Sequence, residues 1–163
     1  QGSACMDKVD CCFIRDGRWF RYRACAVIPS EGRILMATNP GVDYYYSVGG
    51  GVHHGESAED AVRREVLEET GISMEVDRLA AVHENFFRGL MDNNDLLCHE
   101  VALHFLMKPA DLDSIRSTRF SMDGMPERLA WVPLPDFKRI KVYPAFLPEL
   151  LESQGVRHIV TRE

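Results

Sequence analysis

The chain has 163 residues, of which 45% are hydrophobic and 27% are charged, the composition of a globular protein with a core of its own. Its formal net charge of −6 argues against a broad nucleic-acid-binding surface, which needs a basic face. No stretch approaches the roughly 18 apolar residues of a membrane span, and no signal-peptide core precedes the first strand. We therefore expect a cytoplasmic protein that binds neither nucleic acid nor a membrane.

The first residues of the chain and the five cysteines give two separate predictions. Residues 1–5 resemble the remnant of an expression tag, so we expect one domain over residues 6–163 that begins at Met6. The five cysteines fit no metal-binding spacing, and their odd number argues against a disulfide framework. We interpret them as reduced thiols that mostly fill the core.

Apolar runs bounded by turn residues predict the strands. In chain order they cover residues 10–14, 20–28, 34–37, 44–48, 74–87, 101–107 and 129–132, and residues 156–161 are expected to add another strand. Residues 88–95 and 111–126 are polar and predict loops, the second with a short helical turn. Residues 144–152, which start with Pro144 and are followed by Gly155, predict a second helix.

A first helix is predicted over residues 58–70, preceded by a run of three glycines. Ser57 is a favourable N-cap residue, and Gly71 stands where a helix C-terminal glycine is expected. Residues 49–51 are all glycine, so we predict a strand, a glycine loop and then this helix, an order that lets backbone approach a phosphate. A plain turn between strand and helix is the alternative.

Three carboxylates share one face of this predicted helix. At about 100° per residue, Glu65, Glu68 and Glu69 fall within an arc of roughly 100°, where they repel one another. Arg64 can pair with Glu68 but cannot neutralise all three, whereas a hard divalent cation can. Glu56, just before the helix, can add a fourth oxygen donor. The alternative is an exposed acidic helix with surface ion pairs.

The segment 50–72 has the complete spacing of the Nudix box, G-x5-E-x7-R-E-aliphatic-x-E-E-x-G-aliphatic. Its fixed positions are Gly50, Glu56, Arg64, Glu65, Glu68, Glu69 and Gly71, with Val66 and Ile72 at the aliphatic positions. The chain therefore resembles the Nudix (MutT-like) hydrolases. The resemblance implies an α-β-α sandwich with a mixed β-sheet, and Trp131 to Leu134 looks like the family's usual end-of-sheet segment.

The resemblance also implies a reaction and its residues. Nudix hydrolases cleave a nucleoside diphosphate linked to another group X, giving a nucleoside monophosphate and phospho-X, with Mg²⁺ or Mn²⁺. Carried onto this sequence, Glu65 and Glu69 are metal ligands, with Gly50 as a backbone ligand. Glu68 is a further ligand or activates the water, and Arg64 orients the glutamates.

Many relatives take a general base or an extra metal ligand from outside the box. Here the candidates are Glu100, which begins the predicted 101–107 strand, Glu127, which precedes Trp131, and Glu84. We expect Glu100 to contribute to catalysis, with Glu127 as a second candidate. A solvated carboxylate at the end of a strand is the alternative for each.

Gly51, His53 and Phe86 are candidates for contact with the substrate. Gly51 and His53 belong to the predicted glycine loop and its continuation, where a phosphate or a base can approach. Phe86 can stack on a nucleobase, as can Phe87 and the tyrosines at residues 44–46. The alternatives are an exposed histidine and aromatic residues of the core.

The family's accessory markers of substrate class are absent from the residues that follow the box. We expect (deoxy)nucleoside triphosphates as substrates, with ADP-ribose or a nucleotide sugar as the alternative. A different class, a non-catalytic nucleotide sensor, is disfavoured because Glu65, Glu68 and Glu69 are all present. A homodimer is a further expectation, formed through the N-terminal strand or through residues 156–161.

Overall fold

A computed structural model describes residues 8–91, 94–113, 115 and 126–163. The predicted tag remnant at residues 1–5 and most of the predicted 111–126 loop lie outside the described residues. The strands are β1 (Cys12–Arg15), β2 (Arg18–Val27), β3 (Pro29–Ser30), β4 (Arg33–Thr38), β5 (Tyr45–Gly51), β6 (Val76–Met91), β7 (Asn94–Met107), β8 (Arg128–Pro133), β9 (Val142–Tyr143) and β10 (Arg157–Arg162). The helices are α1 (Ala58–Thr70), a 3₁₀ helix (Leu134–Lys138) and α2 (Leu147–Glu152).

The strands form one mixed sheet, as the family resemblance implied. Its described order is β10-β6-β7-β2-β5-β4-β3, with β1 beside β2, β8 beside β4 and β9 beside β5. Strands β2 and β7 are parallel, as are β10 and β6, whereas β6 and β7 form an antiparallel hairpin. The predicted added strand at the C-terminal end of the chain is therefore confirmed as β10.

The two α-helices cover opposite faces of this sheet. Ala24 and Ala26 belong to a cluster of buried residues with Val62 and Val66 of α1. The opposite face of β2 carries Val27, which belongs to a second cluster of buried residues with the leucines of α2. Successive side chains of a strand point to opposite faces, so the alternation along β2 serves both helices. This arrangement confirms the predicted α-β-α sandwich. None of the described helices is long and apolar enough to cross a membrane.

Helix α1 has the bounds that the sequence predicted, because both ends carry local signals. The Ser57 hydroxyl accepts a hydrogen bond from the Asp60 amide at 3.1 Å. Gly71 adopts φ 76°, a left-handed conformation that costs glycine little, and its amide donates to the Leu67 carbonyl.

The predicted loop at residues 88–95 and the predicted start of the second helix were wrong. Residues 88–91 and 94–95 are strand and not loop: β6 continues to Met91 and β7 begins at Asn94, and Arg88 pairs with Leu97 in the register between them. Cross-strand pairing thus overrides the local turn composition of this segment. The second helix begins at Leu147 rather than Pro144. Pro148 lies in its first turn, where backbone amides have no partner within the helix, so the missing N–H of proline costs no hydrogen bond.

The four cysteines in the described part of the chain are free thiols. Cys25 and Cys98 are buried, as expected of core residues. Cys12 is exposed, because β1 lies along the rim of the sheet with all four of its residues exposed.

Candidate active site

Residues 49–51 are the end of strand β5, not the loop that the sequence predicted. Gly50 pairs with Ala24 of the neighbouring strand β2. A Cβ atom on Gly50 would lie 2.4 Å from the Glu65 Oε1 atom, and one on Gly49 would lie 2.3 Å from the Ala24 carbonyl oxygen. The glycines are therefore required by close approach: they let a carboxylate of α1 lie directly against the strand backbone.

Glu65 and Glu69 are the buried carboxylates of this contact, each only 2% exposed. The Gly49 amide donates to Glu69 Oε2 at 3.0 Å. Glu65 Oε1 accepts from Arg64 at 2.9 Å. Carboxylates leave water only when such partners hold them, so the two side chains are fixed against β5.

Arg64 connects the box carboxylates to one another and to the strand. Its guanidinium donates to both oxygens of Glu56, at 2.8 and 3.0 Å, and to the Gly51 carbonyl at 3.0 Å. It also reaches Glu65 and, at 3.4 Å, Glu68. The hydrogen bond to Glu56 raises the Arg64 pKa and lowers the Glu56 pKa, so both groups stay charged.

The donor set has the chemistry of a hard-cation site. Its described members are carboxylate and carbonyl oxygens, and Glu68 is the most open of the three helix carboxylates, with 42% of its side chain exposed. As the side chains stand, no three His, Cys, Asp or Glu residues of the described ranges converge at metal-binding distance. Arg64 donates to Oε1 of Glu65, and the Gly49 amide donates to Oε2 of Glu69.

Glu100 lies in the middle of β7 rather than at the start of a strand, where the sequence placed it. It is 4% exposed, because β7 begins seven residues earlier than predicted and β6 and β2 flank it. Arg21 Nε donates to Glu100 Oε2, and Arg23 Nη1 lies 3.9 Å from Glu100 Oε1. Glu100 is therefore an ion-paired residue of the sheet and not a solvated carboxylate.

Glu127 lies beside the hydroxyl group of Tyr46. Burial raises the pKa of Tyr46 to about 12, and the charges of Glu127 and Glu69 and a hydrogen bond to Glu127 act in the same direction. The side-chain amide of Asn39, which donates to the Tyr46 hydroxyl at 3.3 Å, lowers the pKa. Tyr46 thus stays protonated and donates to Glu127.

The remaining predicted residues divide by location. The Gly51 carbonyl belongs to the site through Arg64, and the His53 ring lies at its edge, 3.4 Å from Asp10 and 3.8 Å from Glu56. Phe86 instead packs against His99 and beneath Arg162. Glu84 lies 2.7 Å from His158 of β10. The contacts of Phe86 and Glu84 are therefore with the outer strands of the sheet and not with the box.

Sequence reasoning missed Arg23 and Asn39 and treated Tyr46 only as an aromatic ring. The alternation of Arg21 and Arg23 ahead of an apolar strand is the one local sign that charge is turned toward a buried face. Asn39 and Tyr46 carry no such sign, because their contact depends on the pairing of β4 with β5.

Comparison with known proteins gives consistent matches. The model of the NUDIX domain family matches residues 19–152. A MutT-like protein of Streptomyces ambofaciens is 36% identical over 115 residues, 67% of this chain and 68% of that protein. An oxidized purine nucleoside triphosphate hydrolase of Danio rerio is 29% identical over 118 residues, 66% of this chain and 74% of that protein. The crystal structure of a MutT NUDIX hydrolase from Burkholderia pseudomallei has a TM-score of 0.57 and 26% identity, covering 83% of this chain and 98% of that one. Proteins of the family act on pyrophosphate bonds of small nucleotides and generally use divalent metal ions.

Proposed function

The chain belongs to the Nudix family, and from this premise we propose that it hydrolyses (deoxy)nucleoside triphosphates to a nucleoside monophosphate and pyrophosphate, with Mg²⁺ or Mn²⁺. One observation carries the proposal: Glu65 and Glu69 are almost fully buried against glycine backbone and share a face with Glu68. Taking a carboxylate out of water costs several kcal/mol. A helix retains such groups where a ligand cation compensates them.

Each residue of the site has a role in this proposal. Glu65 and Glu69 hold the metal, with the Gly50 carbonyl and Glu68 as further oxygen donors. Arg64 holds Glu56 against Gly51 and orients Glu65, so Glu56 acts mainly through Arg64. When bound, the metal polarises the phosphoryl group and lowers the pKa of the attacking water.

Hydrolysis also requires a group that accepts a proton. The water oxygen bonds to phosphorus, the bridging P–O bond breaks, and the water proton passes to a carboxylate. Glu127, beside Tyr46, is better placed for this than Glu100, whose oxygens face Arg21 and Arg23. We expect Glu127→Gln to lower kcat more than Glu100→Gln at every pH. A larger loss of kcat in Glu100→Gln would instead indicate that Glu100 accepts the proton.

Oxidised purine nucleotides come first among the candidate substrates. The support is the name of the zebrafish relative, whose matched segment includes most of this chain. The expectation is therefore a preference for an oxidised purine triphosphate over its unmodified parent.

The experiment is a substrate panel with product identification. Oxidised and normal (deoxy)nucleoside triphosphates, ADP-ribose and nucleotide sugars are incubated with the protein and Mg²⁺ or Mn²⁺, and the products are separated by ion-exchange chromatography. Monophosphate and pyrophosphate from a triphosphate support the proposal. Preferential cleavage of ADP-ribose or a nucleotide sugar would overturn the substrate class. Tight nucleotide binding without turnover would indicate a sensor.

A further inference from the structure

A row of aromatic rings crosses four strands of the sheet. We call it the aromatic row: Phe13 of β1, Phe20 of β2, His99 of β7 and Phe86 of β6. The strand register pairs each of these residues with the next one named, and residues directly opposite one another in a sheet share a face. Successive ring centres lie 5.5, 5.4 and 4.5 Å apart. The four side chains therefore form one continuous aromatic surface.

The aromatic row lies on the α1 face of the sheet, beyond the part that this helix covers. Ala24 is fully buried in the cluster that includes α1, and Phe20 lies on the same face of β2, about 13 Å along the strand. Phe13 is 58% exposed, and His99 is exposed as well. Leu97, two residues from His99 and on the same face, is 51% exposed. Exposed apolar side chains that adjoin one another in this way are typical of a binding surface.

Arginines lie at two places beside the aromatic row. Arg18 precedes Phe20 by two residues, so its side chain is on the same face of β2. Arg162 of β10 pairs with Phe86, and its guanidinium carbon lies 4.2 Å from the centre of that ring. Within the described ranges, neither arginine has an ion pair with a carboxylate. Both guanidinium groups therefore keep donors available for an anion.

The aromatic row and these two arginines line one open cleft of about 690 Å³. The charged residues of its lining are Arg18, Arg88, Arg162 and Glu163, so the cleft is positive although the chain has a formal net charge of −6. Aromatic faces bind a planar ring by stacking, and a guanidinium binds phosphate oxygens. A cleft of this volume accommodates a ligand of the size of a mononucleotide.

A second copy of the chain is a poor occupant of this cleft. In a symmetric dimer the same patch of both copies meets itself, so the arginines of one copy would face those of the other. Like charges brought together across an interface are unfavourable. An anion that carries a planar ring fits both the charge and the aromatic row.

Arg18 is the arginine that can reach the phosphate of a ligand stacked near the start of β2. It adjoins Phe20, whereas Arg162 lies three strands away in the order β10-β6-β7-β2, at about 14 Å. We propose that the aromatic row is a second nucleotide-binding site, apart from the box, in which the base stacks on Phe13 and Phe20 and the phosphate binds Arg18. This site requires no metal ion, because a guanidinium and not a carboxylate meets the phosphate.

The test is a titration of the ¹⁵N-labelled protein with GMP in the presence of EDTA, followed by amide chemical shifts in nuclear magnetic resonance. The wild type should show saturable shifts along the aromatic row. Phe13→Ala should weaken GMP binding roughly 5- to 100-fold, because it removes a stacking ring. Ile14→Ala is the matched control: its side chain is 49% exposed at the next position of β1, on the opposite face, and the affinity should stay within about twofold.

The phosphate contact has its own pair of variants. Arg18→Gln should weaken GMP binding about tenfold and leave the binding of guanosine, which has no phosphate, within about twofold. Arg162→Gln removes an equal charge from the same cleft but at a distance that salt largely screens, so GMP affinity should stay within about threefold. Equal losses in the two arginine variants would contradict a direct contact with Arg18.

The remaining outcomes separate this inference from the proposed function. Glu69→Gln should bind GMP at the aromatic row like the wild type, whatever its activity. Equal GMP affinity in Phe13→Ala and the wild type, or shifts confined to residues 49–69, would overturn the inference and leave the hydrolase proposal standing. A single-stranded octathymidylate bound more than about 100-fold more tightly than GMP would assign the row to nucleic acid instead. A dimer that sedimentation detects in the wild type and not in Phe13→Ala would assign it to a second copy.

Discussion

Two regions of this sheet bury ionisable groups in opposite ways. At the box, Glu65 and Glu69 each accept a hydrogen bond from a described donor. On the α2 side, His83 and His104 lie with ring centres 5.9 Å apart beside Phe146. His104 is 1% exposed, and neither of its ring nitrogens has a hydrogen-bond partner among the described residues.

The two regions differ in whether the buried polar atoms have hydrogen-bond partners among the described residues. Burial lowers the His104 pKa from its ordinary value of 6.5 to about 3, with His83 and Arg23 acting in the same direction. The imidazole is thus neutral and costs only an unmet hydrogen bond at neutral pH. The carboxylates of Glu65 and Glu69 are instead held by hydrogen-bond donors, Arg64 and the Gly49 amide, as chemistry at the box requires. Activity should therefore depend on one region and acid stability on the other.

The largest expected effect is on activity, from Glu69→Gln. The amide oxygen can still accept from the Gly49 amide, so the melting temperature should change little, while the loss of a metal-binding carboxylate should lower kcat by more than about 100-fold. Steady-state kinetics and thermal unfolding measure the two quantities. Glu59→Gln, on the exposed face of α1, is the matched control and should retain wild-type kcat. Full activity in Glu69→Gln would remove the box from the mechanism.

Gly50→Ala should damage activity and stability together. The new Cβ would lie 2.4 Å from Glu65 Oε1, so the carboxylate must move. We expect a loss of about 1–3 kcal/mol in the free energy of unfolding, measured by urea denaturation, and a lower kcat. In Gly51→Ala the nearest atom to the new Cβ is at 3.3 Å, in the Asp10 carboxyl group, and the loss of stability should be smaller. Equal losses would contradict the close-approach explanation.

Acid stability should depend on His104. Because its folded pKa is depressed below 6.5, the unfolded chain binds the proton first: stability is complete above pH 6.5 and is lost toward pH 3. One such group contributes a slope of about 1.4 kcal/mol per pH unit. His104→Leu should flatten the curve of unfolding free energy against pH between 6 and 4. His83, whose pKa is also lowered by burial, should leave a residual slope.

The exposed His54→Leu is the control for that measurement and should keep the wild-type slope. An unchanged slope in His104→Leu would mean that the folded protein protonates His104 as readily as the unfolded chain does, which would contradict the lowered pKa.

The smallest effect is expected from Ser57→Ala, which tests the stability of α1 apart from the chemistry of its carboxylates. Removing the hydroxyl that accepts from the Asp60 amide should cost about 1 kcal/mol of unfolding free energy. The KM and kcat should change little, because the capping contact lies at the start of the helix. A large drop in kcat at unchanged stability would instead connect the cap to the site.

Local signals explain which parts of the fold could be predicted. Ser57 and Gly71 fix both ends of α1, and the box spacing identifies its carboxylates. Long-range pairing explains the rest. The turn residues Gly89 and Asn94 suggested a loop, but both are paired in the β6–β7 register. Glu100 looked like a strand end, yet its partners Arg21 and Arg23 come from a strand about 80 residues earlier.

The most direct test of the metal centre is a titration with Mn²⁺, followed by the loss of the free-ion signal in electron paramagnetic resonance. The buried carboxylates at β5 predict saturable binding by the wild type, at least about tenfold weaker in Glu69→Gln and unchanged in Glu59→Gln. Equal Mn²⁺ affinity in the wild type and Glu69→Gln would contradict the assignment of these carboxylates to a metal-dependent hydrolase.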